Sequence, residues 1–135
     1  MIEEVNYISY KGNEDLIQEY FNALFVFKEK KAVAVLKQFS ELKGYFIDDY
    51  QACYFAAQFS PKDVEEYFGE EGVVFVFTAP FVPEDCDIIL TYEEFYQVEE
   101  DRYQKFARTH LDKRDEIMRL LECLKTAISD VTGHS

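Results

Sequence analysis

The chain of 135 residues has no tryptophan and only two histidines, three cysteines, three prolines and five glycines. Each scarcity removes a class of chemistry. His110 and His134 lie too far apart to form a zinc-binding pair on one helix. A lone histidine near a helix end, such as His110, is expected to be solvated or to cap the helix. Gly12, Gly44, Gly69, Gly72 and Gly133 are scattered, so neither a phosphate-binding loop nor a dinucleotide fingerprint can be written. No nucleophile elbow is present, and no cysteine has a histidine near it in sequence. Cys53, Cys86 and Cys123 are odd in number and form no C-x-x-C pair, the pattern of reduced thiols in a cytoplasmic protein. The opening Met1-Ile2-Glu3-Glu4-Val5 is acidic where a signal peptide is basic. No apolar run approaches the roughly 18 residues of a membrane span.

Negative charge is abundant. Lysine and arginine number 14 against 27 acids, for a net charge of −13. Such a balance argues against a nucleic-acid backbone or an anionic membrane as partner, and favours a basic partner, a cation or simple solubility. The charge is also localised. From Asp63 to Asp101 the chain runs 39 residues with 13 acids and no base, while the other 96 residues hold 14 of each. The entire net charge therefore belongs to one stretch. Its acids fall in different elements, and convergence at the ends of adjacent strands would focus their potential.

Length and a 48% apolar composition fit one domain, 1–135, with 132–135 as a frayed tail. Asn13 is placed to cap a helix in which Leu16, Ile17, Tyr20, Phe21 and Leu24 recur at helical steps. Lys30–Phe39 reads as helix, although Ala32-Val33-Ala34-Val35 would also serve as a strand. Ala52–Phe59 reads as a buried strand, and Ser60-Pro61 opens a short helix to Phe68. Val73–Phe77 is the strongest strand signal, and Asp87–Leu90 makes another. Thr91-Tyr92-Glu93-Glu94 is a capping box for a helix to Arg108, and Asp112 caps a last helix striped by Ile117, Leu120, Leu121, Leu124 and Ile128. The predicted fold is an α+β or α/β layered domain: a small mixed or antiparallel sheet with helices packed on it.

On the helix from Tyr92, a 100° step gathers Tyr92, Phe95, Tyr96, Tyr103, Phe106 and Ala107 toward the sheet. Glu93, Glu94, Glu100 and Asp101 project from the other side. Glu99 points into the tyrosine-rich arc, where tyrosine hydroxyls are available donors. Glu70-Glu71 and Glu84-Asp85-Cys86-Asp87 offer oxygen ligands, but the pattern of a calcium-binding loop is absent. No cofactor or metal site is expected, and no catalytic residue.

Several phrases occur in a telling order: Gly44-Tyr45-Phe46-x-x-Asp49, Gly72-Val73-x-Phe75, Leu90-x-Tyr92-x-Glu94-Phe95-Tyr96 and Ile117-x-x-Leu120-Leu121. From about Leu16 onward this arrangement resembles the immunity proteins of bacterial contact-dependent growth inhibition and related polymorphic toxin systems, in particular ribonuclease-toxin immunity proteins. The resemblance implies a small, non-catalytic, cytoplasmic α/β protein that binds the carboxy-terminal nuclease domain of a secreted toxin. A nuclease that grips RNA presents lysines and arginines, a field that an acidic inhibitor can occupy. The charge segment itself supplies the candidate contact residues: Glu70, Glu71, Glu84, Asp85, Asp87, Glu93, Glu94, Glu100 and Asp101. An acidic regulatory or scaffold domain for another basic protein would show the same acidity without a toxin. An enzyme using clustered carboxylates with a divalent ion is the third alternative.

Overall fold

The computed structural model describes residues 7–60, 62–63, 69 and 71–132. Helical recurrence from Leu16 builds α1 (Glu14–Phe27), which buries Ile17, Tyr20, Phe21, Ala23 and Leu24. Asn13 takes the N-cap position, but its side chain does not cap the helix. Its Nδ2 donates to the Ser9 carbonyl at 2.7 Å, while the Glu14 carboxylate accepts the Gly12 amide at 3.0 Å. The ambiguous lysine–alanine segment is helical: α2 (Ala32–Ser40) buries Ala32, Val35, Leu36 and Phe39, one face of a helix.

Five strands form one sheet: β1 (Tyr7–Ser9), β2 (Tyr45–Asp48), β3 (Gln51–Phe55), β4 (Val73–Phe77) and β5 (Cys86–Leu90), in the order β1-β5-β4-β3-β2. The β1–β5 pair is parallel and the others antiparallel, so the sheet is mixed. The strand read as Ala52–Phe59 ends at Phe55, where a 3₁₀ turn over Ala56–Gln58 begins. Gln58 Oε1 stops the ladder by accepting the amides of Phe55 at 2.7 Å and Gly44 at 3.0 Å. Most of the short helix expected from Ser60 to Phe68, residues 61 and 64–68, lies outside the described residues.

Alternation decides where the core sits. Phe55, Phe75 and Ile88 face the helices. The Phe75 ring lies 4.8 Å from Tyr20 and 6.0 Å from Phe95, and Phe55 lies 5.0 Å from Phe95 and 6.0 Å from Phe39. Such edge and tilted pairs each add about 0.5–1.5 kcal/mol beyond area burial. They tie α1, α2 and α3 (Tyr92–Arg108) to one side of the sheet. The last helix, α4 (Arg114–Thr132), buries Ile117, Leu120, Leu121 and Leu124, with Ile128 half-buried. Asp112 sits inside a 3₁₀ turn, Leu111–Lys113, rather than at the cap of α4. The architecture is a single α+β layered domain. Among the described residues, no helix is long and apolar enough to cross a membrane.

Candidate functional site

The base-free stretch is distributed by the sheet. Leu90, the last residue of β5, runs directly into the Thr91 cap of α3, where Thr91 Oγ1 accepts the Glu94 amide at 3.0 Å and Glu94 Oε1 accepts the Thr91 amide at 2.9 Å. This reciprocal box fixes the direction of the first turn and places Glu93 and Glu94 over the end of the sheet. Glu71 arrives at the same end, because Val73 is the register partner of Leu90. Three clefts converge there. One of about 520 Å³ between α1 and α3 is lined by Glu14, Glu93, Glu94 and Asp101 together with Lys11 and Arg102. One of about 470 Å³ is lined by Glu71, Thr91, Tyr92 and Glu94. The third, about 400 Å³, is lined by Glu71, Glu93, Tyr96 and Lys125.

Glu84, Asp85 and Asp87 are not part of that cluster. They lie at the start of β5, whose five residues separate the two ends by about 13 Å. Here the connection between β4 and β5 meets the β2–β3 turn. The Thr78 amide donates to the Tyr50 carbonyl at 3.0 Å, and the Ala79 amide donates to Asp85 Oδ1 at 2.8 Å. Asp48 Oδ1 accepts the Tyr50 amide at 2.8 Å and holds the turn. Asp48 and Asp49 thus join Glu84 and Asp85, although sequence reading missed both because they precede the base-free stretch. Asp87 projects from the sheet face opposite the helices, and burial, reinforced by the charge of Asp85, holds its carboxyl above the ordinary aspartate value.

The remaining candidates divide by environment. Asp101 is exposed but paired, 3.2 Å from Lys105 Nζ and 3.9 Å from Arg102 Nε. Glu100 turns toward the helical side, where Tyr96 Oη donates to its Oε2 at 3.0 Å. Burial, reinforced by that bond, pushes the Tyr96 phenol up to about 12. Glu70 lies outside the described residues. A cleft of about 310 Å³ at the far end of α3 carries the opposite sign, with Arg108 and Arg114 in its wall.

Glu99 corrects an expectation. It is fully buried, but no tyrosine satisfies it, and neither carboxyl oxygen has a hydrogen-bond partner among the described residues. The nearby hydroxyls are committed elsewhere: Tyr20 donates to the Tyr45 carbonyl and Tyr103 to the Ala32 carbonyl, both at 2.8 Å. Burial therefore drives the Glu99 carboxyl well above the carboxylate range, toward the neutral acid. It is a core residue and no part of a surface. Among the described residues, no three His, Cys, Asp or Glu side chains converge in metal-binding geometry.

An exposed, strongly acidic set of loops and a helix end on a small α+β scaffold fits the family resemblance of the aromatic phrases, which all fall in elements that build this scaffold. No curated protein and no solved structure matches the chain. A sequence model of the family described as CDI immunity protein matches residues 13–121, from the start of α1 into α4. The chain therefore belongs to the CDI immunity proteins, the immunity family of contact-dependent growth inhibition.

Proposed function

We propose that the chain is a non-catalytic cytoplasmic inhibitor that binds the carboxy-terminal nuclease domain of a cognate toxin, a ribonuclease, through an acidic surface. Family membership supports the immunity role. The observation that carries the nuclease reading is electrostatic. Glu71, Glu84, Asp85 and Glu93 are exposed carboxylates with no ion pair among the described residues. Uncompensated charge of this kind complements the lysines and arginines with which a ribonuclease holds phosphates. The acids assigned to this surface are Glu70, Glu71, Glu84, Asp85, Asp87, Glu93, Glu94, Glu100 and Asp101. Their summed field accelerates encounter with a basic domain, which matters when the toxin must be caught before it cleaves.

The test uses the adjacent gene, which this reading expects to encode the toxin. Its purified carboxy-terminal domain should degrade RNA, and equimolar immunity protein should abolish that cleavage. Binding without protection of RNA points to the scaffold alternative. No binding at micromolar concentration removes the inhibitor reading.

A further inference from the structure

Two groups of acids lie at opposite ends of the sheet, and they differ in how much of their charge and surface is available. At the α3 end, cations share the clefts: Lys11 and Arg102 line one and Lys125 another, and Asp101 is already paired. Glu94 is occupied by the capping box and Glu14 by the Gly12 amide. At the β2–β3 turn no ion pair involves Asp48, Asp49, Glu84 or Asp85 among the described residues. Asp48 and Asp85 each accept a backbone amide, so Asp49 and Glu84 are the uncommitted carboxylates here, as Glu71 and Glu93 are at the α3 end. What sets the turn apart is its exposed aromatic surface. Two large rings stand out beside these acids, with Tyr50 42% and Phe81 41% exposed. Both rings are on backbone that is already fixed. Thr78 links the two loops, donating its amide to the Tyr50 carbonyl at 3.0 Å and accepting the Phe81 amide at 3.1 Å. The Phe81 ring also stacks on Phe77, 6.1 Å away.

Exposed aromatic rings framed by unpaired carboxylates are the chemistry that recognises guanidinium and ammonium groups. The ring face attracts the cation and the carboxylate hydrogen-bonds it. Tyrosine is also a frequent anchor of protein interfaces, and pre-ordered loops lower the entropy lost on docking. We infer that the toxin-anchoring surface is the β2–β3 turn end of the sheet, where Tyr50 and Phe81 seat arginine or lysine side chains of the toxin inside a rim formed by Asp48, Asp49, Glu84 and Asp85. This rests on the reading of the chain as an inhibitor of a basic toxin domain. The acids at the α3 end then act by long-range attraction during approach.

The test is surface-binding kinetics of the full chain with the cognate toxin's carboxy-terminal domain. Tyr50→Ala should raise the dissociation rate at least about tenfold. Asp49→Lys combined with Glu84→Lys should do the same, and should also slow association. Neither Asp49 nor Glu84 uses its side chain in a hydrogen bond among the described residues, so the double variant keeps the loop intact, as a thermal melt will show. Phe81→Ala is the third variant. If these proteins dissociate at the wild-type rate while Glu71→Lys with Glu93→Lys dissociates faster, the anchor lies at the α3 end and the inference is wrong. If the wild-type chain forms no complex, the inhibitor reading fails and the inference falls with it.

Discussion

His110 Nε2 lies 2.7 Å from Glu29 Oε1, joining two positions 81 residues apart. The other ring nitrogen is 2.9 Å from the Phe106 carbonyl, and the ring stacks on Phe106 at 3.9 Å. Histidine thus caps α3 and ties its last turn to the segment after α1.

Both nitrogens face acceptors, so the cationic ring fits best. The hydrogen bond His110 donates to Glu29, then the one to the Phe106 carbonyl, raises His110 above its ordinary 6.5. Its contribution to stability is therefore complete below pH 6.5 and is lost as pH rises through the folded value. Glu29, lowered chiefly by the bond to His110, contributes above its ordinary 4.5 and loses that share as pH falls through its lowered value. His110→Gln should lower the melting temperature most between pH 4.5 and 6.5, with the deficit shrinking at alkaline pH. A deficit independent of pH would show that the pair is not ionic.

Glu99 shares the sign of the His110 slope, stability falling as pH rises, and opposes that of Glu29. Its folded pKa is raised above the ordinary 4.5 by burial. The native state holds a proton that the unfolded chain releases, so its cost grows as pH rises above 4.5. Glu99→Met removes two unsatisfied buried oxygens and should stabilise the protein at neutral pH by about 1–3 kcal/mol. Urea denaturation of the two proteins reads this directly. A less stable methionine variant would mean that the acid holds a partner in solution.

Gly44 immediately precedes β2 where the chain presses on its neighbour: a methyl group there would overlap the Cys53 carbonyl. Because the obstacle is backbone, it cannot swing aside. Gly44→Ala should cost more than about 4 kcal/mol, visible as loss of soluble protein or of a cooperative melt. Ordinary stability in this variant would show that β2 can part from β3.

Elements with strong local signals were legible in the sequence. The apolar recurrence of α1, the β-branched and aromatic run of β4 and the Thr91–Glu94 box each specify their own conformation. β1 and β2 were not. β1 is three residues long and pairs with β5 in parallel, Tyr7 opposite Asp87, so nothing adjacent in sequence announces it. β2 carries a register irregularity between Phe46 and Asp48 and exposes Phe46, which blurs the alternation expected of a strand. The acidic stretch was visible as charge, but its division was not. β5 runs through the middle of it and carries Glu84 and Asp85 to one end and Glu93 and Glu94 to the other. Counting along the chain also passed over Asp48 and Asp49, which reach the same end through the β2–β3 turn.

The most direct test of the account is the association rate between this chain and its cognate toxin domain, followed as a function of ionic strength. An acidic surface meeting a basic nuclease predicts fast association at low salt and a fall of about tenfold or more between 20 and 500 mM monovalent salt. A rate that stays flat across that range would contradict the claim that the acidic surface drives recognition.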